Sequence, residues 1–382
     1  MTMNAILHPK NKPMEWYQVQ NENEIDSPAL LIYPDRVQHN IDTMIEQVGG
    51  HASRLVPHVK TYKMGEIVQM QLAVGIHRFK CATIAELEMT LAAGASWVLV
   101  AYQLTGPKIS RFAQLKKSYP AATICSLIDN VASAQQLAQQ LEREGLVAAV
   151  FLDVNNGQNR TGYVLDDTIF NTYCQLAAIP NLVLQGLHVY DGHLRDAEFS
   201  KRKAASDDAF APVYDLVAQI EAVGLPTPEI ISGGSPAFSS ASQRSDVFCS
   251  PGTTLLWDWG YANLVPEVDF QWAAVLMTRV ISKPNKGLIT TDLGHKSVAS
   301  ENPLDKRIMF LNLSNYEPVG QSEEHLVLRV NDWESVQIGD VLYGIPYHVC
   351  PSVALHDVAH IIQHNKLIDT WDIVARKRKI TF

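Results

Sequence analysis

The chain has 382 residues, a formal net charge of −9 and 47% hydrophobic residues, which predicts a large core shared by one larger and one smaller domain. The acidic balance excludes general binding to nucleic acid or to an anionic membrane, and no stretch approaches the ~20 apolar residues of a membrane span. Five widely spaced cysteines and an N-terminus without a secretory signature predict a cytoplasmic protein without a disulfide framework.

Apolar runs alternate with helical patterns through the first two thirds of the chain. The runs that predict strands lie at 54–60, 78–82, 97–101, 122–129, 147–154, 182–190, 228–234 and 246–252. Helices are predicted at 64–74, 85–94, 107–118, 166–178 and 199–223, with another between an N-cap at Asn130 and a stop at Gly145. Strands that are apolar on both faces are typical of a parallel sheet covered by helices. Eight such units predict a (β/α)8 barrel over residues 35–258.

An open, doubly wound parallel sheet is the alternative fold for this region. The chain contains neither GxGxxG nor GxxxxGK[ST], the glycine-rich loops that often accompany such sheets, and this absence favours the barrel.

After Trp259 the pattern changes to short strand-like runs with turns and little helix. This predicts a C-terminal mostly-β domain over residues 259–382. We assign residues 1–34 to the same domain, because PALLIY at 28–33 precedes the barrel and is free to pair with these strands. The final run, DIVARKRKITF at 372–382, is also predicted to be a strand of this domain.

Lys60 ends the first predicted strand, in the stretch LVPHVKT at 55–61. One interpretation is a side chain that extends to a surface ion pair. The other is functional, because active sites of (β/α)8 barrels lie at the carboxyl ends of the strands, and a desolvated amine can become a nucleophile. His58, two residues earlier, would face the same interior.

Two glycine-rich loops follow the seventh and eighth predicted strands. They are ISGGSP at 231–236 and SPGTT at 250–254. Glycines allow backbone N–H groups to approach an anion, and barrels often bind phosphate after these two strands. A nucleophilic lysine and a phosphate site at one barrel mouth together suggest pyridoxal phosphate.

Several motifs resemble those of the D-threonine aldolase and D-serine dehydratase family, which is alanine racemase-like and belongs to the fold-type III pyridoxal-phosphate enzymes. They are PHVKT, NRTG, HVYDGH, SGGSP, SPGTTLLWD, TDLGHKS and the late HVC. The resemblance runs in order from about Pro28 to Asp357. Two segments depart from the family pattern: FCSPG stands where ELRPG-type residues are expected, and TDLGHKS carries His295.

The resemblance implies roles for particular residues. Lys60 would form the Schiff base with the cofactor. Arg160 and Tyr190 would lie near the pyridine ring, and Arg160 there would make the ring a weaker electron sink. His193 would act as a base or bind near the substrate hydroxyl. The phosphate would be bound by Gly233, Gly234, Ser235, Gly252 and Thr253.

Arg160 and His193 also have non-catalytic explanations. A surface pair with a carboxylate would account for the arginine, and an ordinary loop position would account for the histidine.

His348 and Cys350 stand two residues apart in YHVCPS, so on a strand they would face the same side. Imidazole and thiolate are ligands that suit zinc, and a structural role is the alternative. The resembled family carries a metal-binding pair here, which implies a divalent metal, zinc or alternatively manganese. A rival metal site is formed by His356, His360 and His364, which would share one face of a helix.

These expectations define a lyase that acts on D-amino acids with a β-hydroxyl group. The His-x-Cys pair favours a dehydratase of the D-serine or D-threo-3-hydroxyaspartate type. The alternatives are a D-threonine aldolase, an amino acid racemase, a non-catalytic pyridoxal-phosphate carrier and a cofactor-free Schiff-base aldolase. The resembled fold also implies a homodimer in which the β domain of one chain faces the barrel mouth of the other.

Overall fold

The computed structural model describes residues 14–382, which form two β-sheets and their covering helices. The strands are β1 (Ala29–Ile32), β2 (Arg78–Cys81), β3 (Trp97–Gln103), β4 (Thr123–Ile128), β5 (Ala148–Asn155), β6 (Tyr163–Val164), β7 (Leu182–Val189), β8 (Glu229–Ser232), β9 (Val247–Cys249), β10 (Ala274–Asn285), β11 (Leu288–Thr291), β12 (Ile308–Phe310), β13 (Tyr316–Gln321), β14 (Leu326–Val330), β15 (Val341–Pro346), β16 (Val358–Gln363) and β17 (Lys366–Asp372). The α-helices are α1 (Pro34–Gln47), α2 (Gly65–Ala73), α3 (Ile84–Ala92), α4 (Pro107–Ser118), α5 (Val131–Arg143), α6 (Ile169–Ala177), α7 (Phe199–Ala222), α8 (Phe238–Ala241), α9 (Trp259–Leu264) and α10 (Val349–Val353).

The first sheet is parallel, in the order β2-β3-β4-β5-β7-β8-β9, and β6 pairs beside β5. Residues 55–58 fill the eighth position. Leu55 forms a parallel bridge to Cys249, and His58 forms one to Lys80. The sheet therefore closes into the predicted barrel, and the second sheet is separate from it.

The predicted first strand over 54–60 is only partly right. Residues 55–58 are extended, but a 3₁₀ turn occupies Val59–Thr61 and carries Lys60. Pro57 has no N–H group to continue a ladder. The imidazole Nδ1 of His58 accepts the backbone N–H of Lys60 at 3.3 Å, which fixes the turn at the barrel rim.

Helix α5 shows how the local sequence determines the covering helices. The Asn130 side chain accepts the backbone N–H of Ser133 at 2.8 Å, and Gly145, with φ of +70°, follows the end of the helix. The buried face consists of Ala134, Leu137, Ala138 and Leu141. Both predicted ends of this helix are confirmed.

Among residues 14–382, no helix combines the length and apolar character that spanning a membrane requires.

The second sheet has the order β13-β14-β11-β10-β1-β16-β17, and β15 pairs with both β10 and β12. Strand β1 runs antiparallel to β10 and parallel to β16, so PALLIY joins this sheet. The domain limits at residues 34 and 258 stay a prediction, and the predicted contribution of residues 1–13 lies outside the described residues.

Two expectations for the last thirty residues are wrong. The segment with His356, His360 and His364 is not a helix, because β16 pairs with β1 and β17 and His364 lies in a turn with φ of +49°. These histidines therefore share no helix face. The run 372–382 is not a strand either, since it leaves β17 and the backbone N–H of Thr381 binds the Glu88 carboxylate on α3.

Candidate active site

Lys60 lies in the wall of a cavity of about 680 Å³ at the carboxyl ends of the barrel strands. Arg160 and Tyr190 line the same cavity. The Lys60 Nζ lies 5.8 Å from the centroid of the Tyr190 ring, and the Arg160 guanidinium carbon lies 5.1 Å from it. Lys60, Arg160 and Tyr190, which belong to three separate sequence motifs, therefore line one cavity.

The loop after β8 packs against Tyr190. Gly233 has φ of +68°, a conformation that favours glycine. At Gly234 an added Cβ would lie 2.4 Å from Cε2 of Tyr190, so the tyrosine ring rests directly on the loop backbone. Both glycines are required by the local geometry.

The two glycine-rich loops are joined through Ser235. Its hydroxyl accepts the backbone N–H groups of Gly252 at 3.2 Å and of Thr253 at 3.0 Å. A Cβ added to Gly252 would lie 3.0 Å from the backbone oxygen of His58. The loop after β9 therefore adjoins the segment that carries Lys60.

His348 and Cys350 lie beside the turn that carries Lys60 and beside the second glycine-rich loop. The Cys350 Sγ lies 3.1 Å from the Thr61 hydroxyl and 3.5 Å from that of Thr253. His348 precedes α10 and Cys350 lies in its first turn, so the expected strand is wrong. Asp258 fixes the segment, because its carboxylate accepts the N–H of Val349 at 3.0 Å.

His348 and Cys350 shift each other's pKa in opposite directions. Burial disfavours ionisation of the Cys350 thiol, but the hydrogen bond and charge of His348 outweigh it and lower the thiol pKa. Burial lowers the His348 pKa, yet Cys350 and Glu301 raise it to about 9 overall. Glu301 accepts from Nδ1 at 2.6 Å, as carboxylates do behind metal-binding histidines. No group of three or more candidate ligands occurs within residues 14–382.

His193 does not line the cavity. Its side chain is exposed and its Nε2 lies 3.0 Å from the position that a Cβ on Gly157 would occupy. Partial burial lowers its pKa. The base role expected for this residue stays a prediction.

Comparison with known proteins relates this geometry to a family. The model of the alanine racemase N-terminal domain matches residues 32–257, and that of a putative serine dehydratase domain matches residues 273–362. The chain belongs to the alanine racemase-like family. This membership confirms the fold class and the family inferred from the motifs.

Individual relatives cover nearly the whole chain. A 3-hydroxy-D-aspartate aldolase of Paracoccus denitrificans is 26% identical over 93% of this chain and 93% of its own. A D-threo-3-hydroxyaspartate dehydratase of Delftia sp. is 23% identical over 91% of this chain and 97% of its own. The crystal structure of D-threonine aldolase from Filomicrobium marinum superposes with a TM-score of 0.84 at 25% identity, covering 92% of this chain and 96% of that one.

The family depends on pyridoxal phosphate, and the protein is a lyase of this kind. The residues of this alanine racemase-like site fit the cofactor. Among residues 14–382, the Ser232 and Ser250 hydroxyls, which belong to the two glycine-rich loops, are buried without a hydrogen-bond partner. Lys60 lines the cavity, and a Cβ added at Gly234 or Gly252 would meet Tyr190 or His58, so both glycine-rich loops closely approach residues of the cavity wall.

A buried polar network that lines the same cavity was not predicted from the sequence. The Lys80 Nζ lies 3.4 Å from Nε2 of His188, whose Nδ1 lies 2.7 Å from the Asp153 carboxylate. Gln103 donates to the other oxygen of Asp153 at 2.9 Å. The available signal was a titratable residue inside each apolar run: Lys80 in RFKC, Asp153 in FLDV and His188 in LHV.

Proposed function

We propose that the protein is a pyridoxal-phosphate- and metal-dependent lyase of D-amino acids that carry a β-hydroxyl group. Dehydration of substrates of the D-serine and D-threo-3-hydroxyaspartate type is the reaction we favour. The supporting observation is the contact of Cys350 with Thr61, because it brings the metal-binding pair beside Lys60.

Each part of the site has a separate task. When bound, pyridoxal phosphate supplies an electron sink that weakens the bonds at the substrate Cα. The two glycine-rich loops, with Gly233, Gly234, Ser235, Gly252 and Thr253, would bind the phosphate. Lys60 attaches the cofactor and, once free, holds or releases a proton at Nζ. Arg160 contributes positive charge at the ring.

His348 and Cys350 would hold the divalent metal, for which we propose zinc, with manganese as the alternative. Two protein ligands leave positions for water and substrate, as catalytic sites require. A metal there would act as a Lewis acid and polarise the β-hydroxyl group. Glu301 orients the imidazole.

The destination of the first proton separates the two candidate reactions. If Lys60 accepts the Cα proton, the hydroxyl group leaves, and an α-keto acid and ammonia result. If a base such as His193 accepts the hydroxyl proton, the Cα–Cβ bond breaks to glycine and an aldehyde. Two of the relatives described above are aldolases, which supports aldol cleavage as the second candidate.

Product analysis tests the proposal. The protein, supplied with pyridoxal phosphate and zinc, is incubated separately with D-serine, D-threonine and D-threo-3-hydroxyaspartate. Keto acid and ammonia support dehydration, whereas glycine and aldehyde without keto acid support the aldolase. Interconversion of D- and L-amino acids alone would identify a racemase. Bound cofactor without any turnover would identify a carrier.

We also propose a homodimer in which the mostly-β sheet of one chain faces the barrel mouth of the other, on the strength of the family fold alone. Sedimentation velocity tests this, and a monomer at micromolar concentration would contradict it.

A further inference from the structure

Lys80 is a second lysine of the cavity that contains Lys60. It lies on β2, next to residues 55–58, the closing segment of the barrel, and its backbone N–H donates to the Pro57 carbonyl at 2.9 Å. Its Nζ lies 5.5 Å from the Tyr190 ring centroid, close to the 5.8 Å of Lys60. The two amines therefore border the same ring from adjacent barrel positions.

Within residues 14–382, the Lys80 amine has one hydrogen-bond partner, the Nε2 atom of His188. Asp153 accepts from Nδ1 of His188, so Nε2 is left as an acceptor for Lys80. Burial lowers the His188 pKa, which keeps the imidazole uncharged. An ion pair would fix the amine as an ammonium, whereas this arrangement stabilises it without requiring the charge.

The surroundings of Lys80 also favour loss of its proton. Burial and then the charge of Lys60 lower its pKa to about 7, although Asp153 and Asp191 act in the opposite direction. The amine thus exchanges between two protonation states near neutral pH. The titratable and charged groups that act on it are Lys60 in the 3₁₀ turn, His58 just before that turn, His188 on β7, Asp191 after β7, Asp153 on β5 and Arg160 after β5.

We propose that Lys80 is an acid–base residue that accepts the proton of Lys60, with His188 and Asp153 as positioning residues. This inference rests on the role of Lys60 in the proposed function. In the step, an N–H bond of the Lys60 ammonium breaks and an N–H bond forms at Lys80, so Lys60 becomes the neutral nucleophile. The Lys80 ammonium then releases the proton to water in the cavity, and no other reactant is consumed.

The rate at which apoprotein attaches pyridoxal phosphate tests this step without any substrate. Attachment is followed by visible absorbance from pH 6 to 10 in wild type, Lys80→Met and Lys80→Arg. Methionine keeps the buried stem without an amine, and arginine keeps the charge but does not accept a proton. We expect both variants to attach the cofactor about 100-fold more slowly at pH 7 and to recover as pH rises.

Two further variants sharpen the result. Lys108, whose amine lies 4.1 Å from the Tyr102 ring outside this network, provides the matched control, and Lys108→Met should behave as wild type. Asp153→Asn removes a negative charge that holds the Lys80 proton. The pH of half-maximal attachment rate should therefore fall, a shift that a purely structural role would not produce. Circular dichroism confirms folding of each variant.

Each outcome is decisive. Wild-type attachment rates in Lys80→Arg would show that charge alone matters and would overturn the proposal. Wild-type rates in Lys80→Met would also overturn it. So would slow attachment by both variants at every pH. If the wild type attaches the cofactor but converts no D-amino acid, the proposed function is overturned, and the attachment rates still test the role of Lys80. A wild type that attaches no cofactor would overturn both.

Discussion

The Cys350 thiol lies 3.1 Å from the hydroxyl of Thr61, the residue that follows Lys60. The contact joins α10, which follows the mostly-β sheet strand β15, to the turn at the barrel rim. Because Thr61 lies in a 3₁₀ turn and Cys350 in a short helix, backbone structure fixes the spacing between Lys60 and the proposed metal-binding pair.

Lys60→Ala should abolish covalent uptake of pyridoxal phosphate and leave the barrel folded. Lys60 contributes its amine to the cavity, whereas the barrel closes through the backbone of residues 55–58. Borohydride reduction followed by peptide mass spectrometry measures attachment, and circular dichroism measures folding. Lys108→Ala is the control, and cofactor reduced onto another lysine at the wild-type level would contradict the assignment.

Cys350→Ala should abolish zinc binding, because its thiolate is one of the two proposed protein ligands. Glu301→Gln should weaken zinc affinity by about 10- to 100-fold, the usual cost of losing a carboxylate behind a metal-binding histidine. Metal analysis after dialysis and a zinc titration measure the two effects.

Cys174→Ala is the matched control for this pair, since Cys174 is a half-buried free cysteine on α6. Full zinc retention in Cys350→Ala would show that the pair is structural.

Gly234→Ala should weaken pyridoxal-phosphate binding about tenfold or more, equivalent to about 1.4 kcal/mol. The added methyl would lie 2.4 Å from the Tyr190 ring and force either the ring or the loop to move. A fluorescence titration of apoprotein measures the affinity. Gly320→Ala should bind as wild type, because no atom of the described part of the chain lies within 4 Å of the new Cβ. Equal affinity in both variants would refute a phosphate role for this loop.

Asp191→Asn should change how stability depends on pH. Burial raises the pKa of the Asp191 carboxyl to about 6, above its value near 3.8 in the unfolded chain. As pH falls from 7 to 4, the folded wild type binds this proton first, so its stability rises relative to the variant. The difference amounts to about 3 kcal/mol at most, since one pKa unit is worth about 1.4 kcal/mol. Urea unfolding at pH 7, 5.5 and 4 measures it, and parallel curves would contradict the buried, titrating carboxyl.

The barrel could be predicted from the sequence because its signals are local. Apolar runs alternate with helices that carry their own start and stop residues, such as Asn130 and Gly145. The glycine-rich loops were visible for the same reason, since positive φ at Gly233 and the close approach at Gly234 demand glycine.

The errors arise where distant segments decide the conformation. The His360 segment has helical spacing but pairs as β16 with β1, which lies at the other end of the chain. His348 and Cys350 meet through a helical turn and not a strand, held by Asp258. Lys80 was not predicted as a site residue. The alternation of side chains along a strand shows that a residue faces inward, but not which residues of other strands it contacts.

The closing segment of the barrel has a consequence for folding. Leu55 pairs with Cys249, and the two residues are separated by nearly the whole barrel sequence. Contacts of such high sequence separation are entropically costly and slow to form. Lys60 lies in the turn that directly follows these closing residues. A partly folded chain that has assembled only β2 to β8 would therefore not yet hold Lys60 in its native position. Nascent or truncated chains should therefore acquire secondary structure before they acquire any reactivity toward the cofactor.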